Sequence, residues 1–187
     1  MHRYFKTVLV AGAMVVAVSQ SARADEVSDT IKSALAAYEE GDIQYALEEL
    51  EYAKGLLAAM KTDALTLFLP QAPEGWTREI STDISAGLAM IGGGSGVEAT
   101  YSNGSEEFTI TIMVNSPMAA MMGGMLANAG AMGLEVKRVG RQKFVLQDGE
   151  LSGLVGTALV QASGADAELM LDVLKDIDFK ALKDFGQ

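Results

Sequence analysis

The residues with the most distinctive chemistry in this chain are its methionines. Six fall between positions 113 and 132, and four of them recur at three- and four-residue spacing, namely Met118, Met121, Met122 and Met125. This spacing predicts one continuous stripe of thioethers along a helix. Thioethers are soft donors suited to Cu(I), whereas Met-rich faces also bind apolar partners or fill irregular gaps in a core. All three interpretations are open at this point.

Few other residues offer chemistry near neutral pH. The chain has no cysteine, and its single histidine, His2, lies in a segment that we expect to be removed. Imidazole and thiolate are the usual general base, nucleophile and zinc ligands, so a mature chain without them disfavours an enzyme. Residues 94–99 have the form of a dinucleotide fingerprint, but neither a strand before them nor a helix after them is predicted. We therefore predict no catalytic residues and no cofactor, with copper as the alternative.

The first 24 residues have the three parts of a secretory signal peptide. A positively charged start is followed by an uncharged, mostly apolar run at 7–18 and by the small-x-small exit Ala22-Arg23-Ala24. The apolar run is about a dozen residues long, short of the roughly 20 that a membrane-spanning helix needs. We predict cleavage after Ala24, a periplasmic location and no stable membrane insertion after cleavage.

The predicted mature chain is strongly acidic. The leader holds three of the 14 Lys and Arg residues and none of the 25 acidic ones, which leaves 11 cations against 25 acids and a net charge of −14. A chain of this charge is repelled by the phosphate backbone, so nucleic acid is disfavoured as a partner. The partner that we expect is a protein or an apolar small molecule.

Residues 27–61 predict two helices, because apolar residues recur at three- and four-residue spacing on both sides of a single break at Gly41-Asp42. The sequence YEEGDIQYALEELEYA, which begins at Tyr38, resembles the G-D-[YF]-x-x-A-L-x-x-[YL]-x-x-A core of a tetratricopeptide repeat. The resemblance implies a helical hairpin in which Ala46 and Ala53 let the helices approach closely. It covers a single copy, and such repeats need about three copies to bury a continuous core, so a peptide-binding solenoid is not predicted.

The remainder of the chain predicts an α+β domain. A boundary with two prolines and a glycine at 69–75 precedes β-prone runs at 76–80, 97–101, 108–114, 136–139, 143–147 and 151–161. Residues 84–91 are ambiguous between strand and helix, and Asn103-Gly104 predicts a tight hairpin turn.

Two helices are predicted in the same domain. Ser116 as N-cap and Pro117 in the first turn predict a helix that ends near Ala131, and residues 165–185 predict a charged amphipathic one. The order of strands and helices predicts an antiparallel sheet with two helices packed on one face.

The predicted organisation is a signal peptide (1–24), a tetratricopeptide-like helical hairpin (25–69) and an α+β domain (74–187). We expect a non-catalytic exported binding or interaction protein that engages a protein partner or apolar ligand through the Met/Gly/Ala-rich helix, with Met118, Met121, Met122 and Met125 as the binding residues. The alternative function is Cu(I) binding by the same four thioethers. A merely structural stripe would instead be buried against the sheet.

Overall fold

The computed structural model describes residues 15–185. Residues 1–14, which include most of the predicted signal peptide, lie outside the described residues. The chain divides after Met60 into two compact units. In the described part of the chain, no helix is both long enough and apolar enough to cross a membrane.

The first unit consists of α1 (Val15–Glu40) and most of α2 (Ile43–Leu65), which form a helical hairpin as predicted. The turn at Gly41 needs a φ of +85°, which glycine adopts without steric cost. Asp42 then starts the second helix, because its Oδ1 accepts a hydrogen bond from the backbone N–H of Tyr45 at 3.1 Å. Helix α1 continues through the predicted cleavage site after Ala24.

Small residues form the buried interior of the hairpin. Four alanines are at most 5% exposed, namely Ala34, Ala37, Ala46 and Ala53. By contrast, the large apolar side chains at the helical spacing, such as Leu35 and Leu47, are more than half exposed. The alanines allow close helix packing, and this packing leaves the bulky residues outside.

The second unit contains a seven-stranded, fully antiparallel sheet in the order β1-β2-β3-β7-β6-β5-β4. Its strands are β1 (Thr77–Ser81), β2 (Ser95–Ser102), β3 (Glu107–Val114), β4 (Glu135–Val139), β5 (Gln142–Gln147), β6 (Glu150–Val155) and β7 (Ala158–Ser163). Its helices are α3 (Asp83–Met90), α4 (Pro117–Asn128), α5 (Ala167–Leu174) and α6 (Phe179–Phe185), and a short 3₁₀ turn spans Thr66–Phe68. A hairpin followed by an antiparallel sheet with helices confirms the predicted α+β class.

The helices of this unit cover both faces of the sheet, whereas the sequence placed two helices on one face. Met170, Leu174 and Leu182 of α5 and α6 pack on the first face, in the larger core with Phe108 and Phe144. Helices α3 and α4 pack on the second face, in a smaller cluster of Leu88, Met113, Ala119 and Leu159. The second cluster exists because β3 and β7 each place one apolar residue, Met113 and Leu159, on that side of the pleat.

Three local predictions differ from the structure. The segment 151–161 is two strands, because Gly156 (φ +63°) turns the chain between β6 and β7. The segment 165–185 is two helices, and the Asp178 carboxylate accepts hydrogen bonds from the first backbone N–H groups of the second. The Asn103-Gly104 connection is a four-residue loop instead of a tight turn, with Asn103 Oδ1 accepting from the N–H groups of Ser105 and Glu106.

A buried polar contact fixes the segment that leads into the sheet. The Tyr101 hydroxyl donates to the carbonyl of Pro70 at 2.8 Å, and the Arg78 guanidinium donates to the same oxygen at 2.7 Å. The Tyr101 ring stacks on Phe108 with centroids 4.7 Å apart. Burial raises the pKa of Tyr101 to about 12, although the nearby Arg78 lowers it in part.

Candidate functional site

The sequence-predicted site residues lie on α4, which starts on a well-formed cap. Ser116 is buried, and its hydroxyl accepts a hydrogen bond from the N–H of Ala119 at 3.1 Å, with Pro117 at the first helical position. Proline is pre-organised there and its missing N–H costs nothing. From Phe108 to Leu134 the sequence has no charged residue, so α4 presents an uncharged surface on every side.

Small residues of α4 face the sheet, together with Met122, which packs against the smaller core cluster. Ala119 is 4% exposed, and a Cβ placed on Gly123 would lie 3.4 Å from the Leu154 side chain. Alanine and glycine therefore let the helix backbone approach β6 closely. Ala119 and Gly123 are one helical turn apart, which is the spacing that gives one continuous contact face.

The four methionines are divided between two environments. Met118 and Met121 are exposed, with Met121 the more open at 77%. Met122 and Met125 are half-buried, and Met122 packs against the smaller core cluster. The stripe is therefore neither wholly core nor wholly surface, and two of its members are available to a partner.

A cleft of about 520 Å³ runs along one flank of α4, and we call it the α4 cleft. Its lining residues come from α4, from the loops that precede α4 and β2, from β6 and from the β6–β7 turn: Gly92, Asn115, Ser116, Pro117, Ala119, Ala120, Gly123, Gly124, Leu154, Gly156 and Thr157. Most of these side chains are small, so the space is bounded largely by backbone. Polar groups are concentrated at Asn115, Ser116 and Thr157, which suits a ligand that is mainly apolar with a few hydrogen-bonding groups.

A smaller cleft of about 250 Å³ lies beside Met122 and Met125, and we call it the methionine cleft. Its opposite wall is polar and belongs to the second face of the sheet. There the Ser152 hydroxyl donates to Glu150 Oε1 at 2.7 Å, and the Gln161 amide donates to Ser152 Oγ at 3.2 Å. These polar side chains satisfy one another, which makes this wall an ordered hydrogen-bonding surface.

The residues that line the clefts do not provide a complete set of copper ligands. Two thioethers, Met122 and Met125, line the methionine cleft, and the nearest polar wall supplies carboxylate and hydroxyl oxygens. Oxygen donors suit hard cations, whereas Cu(I) prefers sulfur. A three-sulfur site would need Met118 or Met121 to turn toward the same cleft. Among the described residues, no group of three or more His, Cys, Asp or Glu side chains could hold a metal ion.

The hairpin carries an apolar surface that the sequence interpretation did not single out. A groove of about 490 Å³, which we call the hairpin groove, is lined by Ile31, Ala34, Leu35, Tyr38, Ile43, Ala46, Leu47 and Leu50. Its lining is almost entirely apolar, and Tyr38 is 65% exposed. The signal was present in the sequence, because a single repeat-like hairpin has no second copy against which to bury its large residues.

No family model matches the chain, and no curated protein and no solved structure shows a significant match to it.

Proposed function

We propose that this protein is a non-catalytic binding protein that receives an apolar group, from a small molecule or from a partner protein, against α4. The single observation that carries the proposal is the α4 cleft, a space of about 520 Å³ beside an uncharged helix whose small residues leave the backbone accessible. A cleft of this size is within the range that holds drug-sized ligands. The protein is proposed to act as an exported component, in keeping with the predicted signal peptide.

The composition of α4 supports this function. Gly123 and Gly124 stand in the middle of a helix, where each glycine costs about 1 kcal/mol relative to alanine. At Gly123 an added Cβ would lie 3.4 Å from the Leu154 side chain, an ordinary contact, so only a residue larger than alanine would press on Leu154. At Gly124 an added Cβ would meet nothing within 4 Å, so packing within the protein does not explain it. Gly124 lines the α4 cleft, where a side chain longer than that of alanine would occupy the space.

The test uses a matched pair of substitutions at Gly124. Gly124→Ala adds one methyl group and should strengthen the helix while leaving the cleft open. Gly124→Leu keeps the same gain in helix propensity but fills the cleft. We expect an uncharged apolar dye, Nile red, to bind the wild type and Gly124→Ala with similar affinity, and to bind Gly124→Leu at least roughly tenfold more weakly.

A control outside α4 makes the result specific. Gly55→Leu places the same substitution on α2, at another helical glycine with open space around its Cβ. Dye binding that falls equally in Gly55→Leu and Gly124→Leu, or that survives Gly124→Leu in a protein of unchanged thermal stability, would contradict the proposal. Binding lost in Gly55→Leu alone would move the site to the hairpin.

Cu(I) binding is the second candidate, and the shared cleft of Met122 and Met125 is the observation that favours it. Anaerobic titration with Cu(I) against a competing chelator tests it directly. Submicromolar binding that is lost in the variant Met121→Leu plus Met125→Leu would make metal handling the leading function. Absent binding would retire copper as a ligand, and binding unchanged in that variant would exclude Met121 and Met125 as its ligands.

A further inference from the structure

The second unit contains a cleft of opposite electrostatic character to the rest of the chain. This cationic cleft, of about 430 Å³, lies between the β4–β5 turn and the segment that carries the end of α5 and the start of α6. Arg141, Lys175, Lys180 and Lys183 line it. These are four of the 11 Lys and Arg residues that follow residue 24, gathered in a chain with 25 acidic residues.

Two of the four cations of this cleft, Arg141 and Lys180, are not paired with a nearby carboxylate of the described residues. Lys175 pairs with Asp172, and this exposed ion pair raises the pKa of the lysine. The nearby Asp178 carboxylate is occupied by backbone N–H groups at the start of α6. In the part of the chain that the structure describes, neither Arg141 nor Lys180 has a carboxylate oxygen within 4 Å.

The interior of the cationic cleft is apolar. Phe179 and Val139 line it together with the cations. Phe179 is held from behind by Phe144, a fully buried core residue whose ring centroid is 6.0 Å away. The aromatic wall is therefore fixed by the larger core, while the cations project from the β4–β5 turn and from the helical segments.

From this arrangement we propose that the cationic cleft binds an amphipathic organic anion, whose carboxylate or phosphate group is held by Arg141 and Lys180 while its apolar body lies against Phe179. A planar guanidinium can hold either group through two parallel hydrogen bonds, and a lysine adds a mobile point charge. The apolar wall accounts for the hydrocarbon part, which an inorganic anion lacks. The site is separate from the α4 cleft, and it does not rest on the function proposed there.

The experiment compares four probes by isothermal titration calorimetry: decanoate, decyl phosphate, inorganic phosphate and decyltrimethylammonium. We expect both decyl anions to bind, with an affinity that falls as salt is raised because surface charges are screened. We expect no binding by inorganic phosphate or by the cationic surfactant at the same concentration. The charge reversal Arg141→Glu plus Lys180→Glu should weaken the binding of both decyl anions by roughly tenfold or more.

A control with the same change in net charge distinguishes a built site from general attraction. Arg138→Glu plus Lys54→Glu reverses two exposed cations that do not line the cationic cleft. This control should bind decanoate nearly as well as the wild type. Equal weakening in both double variants, or unchanged binding after Arg141→Glu plus Lys180→Glu, would overturn the proposal.

Two further arms complete the test. If the charge reversals unfold the protein, Arg141→Gln plus Lys180→Gln removes the two charges with less repulsion and should still weaken decanoate binding. Inorganic phosphate that binds as tightly as decyl phosphate would overturn the amphipathic part of the proposal. Gly124→Leu should leave decanoate binding unchanged, so failure at the α4 cleft and failure at the cationic cleft give different results.

Discussion

The two units of this protein use apolar residues in opposite ways. The hairpin buries alanines and exposes large side chains, with Leu35 and Leu47 each more than half exposed. The α+β unit buries its largest residues completely, including Tyr101, Phe108 and Phe144. Burial of large apolar area is the main favourable term in folding, so the second unit should be much the more stable by its own contacts.

This difference indicates which surfaces of the protein are available for binding. A surface of exposed large apolar residues contributes little to the stability of the unit that carries it, so it is free to serve a contact. The hairpin groove and the exposed part of α4 share this property. The core of the α+β unit instead stabilises the sheet and the helices whose residues line the α4 cleft and the cationic cleft.

The largest effect is expected from a substitution that disrupts the core of the α+β unit. Phe108→Ala should lower its free energy of unfolding by about 3–5 kcal/mol, because it removes a buried ring that stacks on Tyr101 and contacts Trp76. Leu47→Ala in the hairpin should change the free energy of unfolding by less than about 0.5 kcal/mol. Urea unfolding followed by Trp76 fluorescence and by circular dichroism measures both. A loss for Leu47→Ala as large as that for Phe108→Ala would refute the contrast.

The next effect is a pH dependence that belongs to the α+β unit. The pKa of Tyr101 in the folded protein, about 12, lies above the usual tyrosine value of 10.0, so folding favours the protonated phenol. The resulting stabilisation is fully present below pH 10 and is lost as the pH rises from 10 through 12. It is on the order of 2–3 kcal/mol.

Comparison with Tyr101→Phe isolates this contribution from the other groups that titrate at high pH. The difference in unfolding free energy between wild type and variant should shrink between pH 10 and 12. Tyr52→Phe is the hairpin counterpart, because a hydrogen bond to Glu26 raises the pKa of the exposed Tyr52. Its difference from the wild type should depend on pH much less. A Tyr101→Phe difference that stays constant across this range would be evidence against the assignment.

A smaller effect comes from glycines in the two units. A Cβ at Gly153 would lie 2.7 Å from the Phe144 ring and 2.9 Å from the Lys143 carbonyl oxygen. Gly153→Ala should therefore destabilise the α+β unit by about 1–3 kcal/mol. Both contacting groups would have to move, and one of them, the Lys143 carbonyl, belongs to the backbone. If the thermal melting midpoint of Gly153→Ala equals that of the wild type, β5 and β6 can move apart without a loss of stability, which would contradict this prediction.

The smallest effect has the opposite sign. Gly55 lies inside α2 with nothing within 4 Å of an added Cβ. Gly55→Ala should stabilise the hairpin by about 0.5–1 kcal/mol through helix propensity. Helical circular dichroism during thermal unfolding would report it, and a destabilised hairpin would indicate a contact at this position.

The sequence predicted those elements whose local signals and tertiary environment agree. The break at Gly41-Asp42 and the cap at Ser116 are fixed by backbone geometry that few residue types satisfy, and each occurs as expected. The β6–β7 turn was missed because Gly156 and Thr157 lie within an otherwise continuous apolar run, which also fits one longer strand.

Exposure was harder to predict than secondary structure. The spacing of Leu35 and Leu47 marks one side of each helix, but the partner that would cover that side is a property of the assembled fold. The cationic cleft was missed for a related reason. Arg141 and Lys180 are about 40 residues apart in the chain, and only the packing of α6 beside the β4–β5 turn brings them to one cavity.

The methionines themselves offer the most direct test of the α4 binding site. In protein labelled with ¹³C at the methionine methyl groups, titration with Nile red should shift the signal of Met118, whose chain neighbours Pro117 and Ala119 line the α4 cleft, along a saturating curve that Gly124→Leu abolishes. Met60, which lies on α2, should not shift. This result would place the apolar ligand in the α4 cleft. A shift at Met60 alone, or equal shifts at Met60 and Met118, would contradict the account.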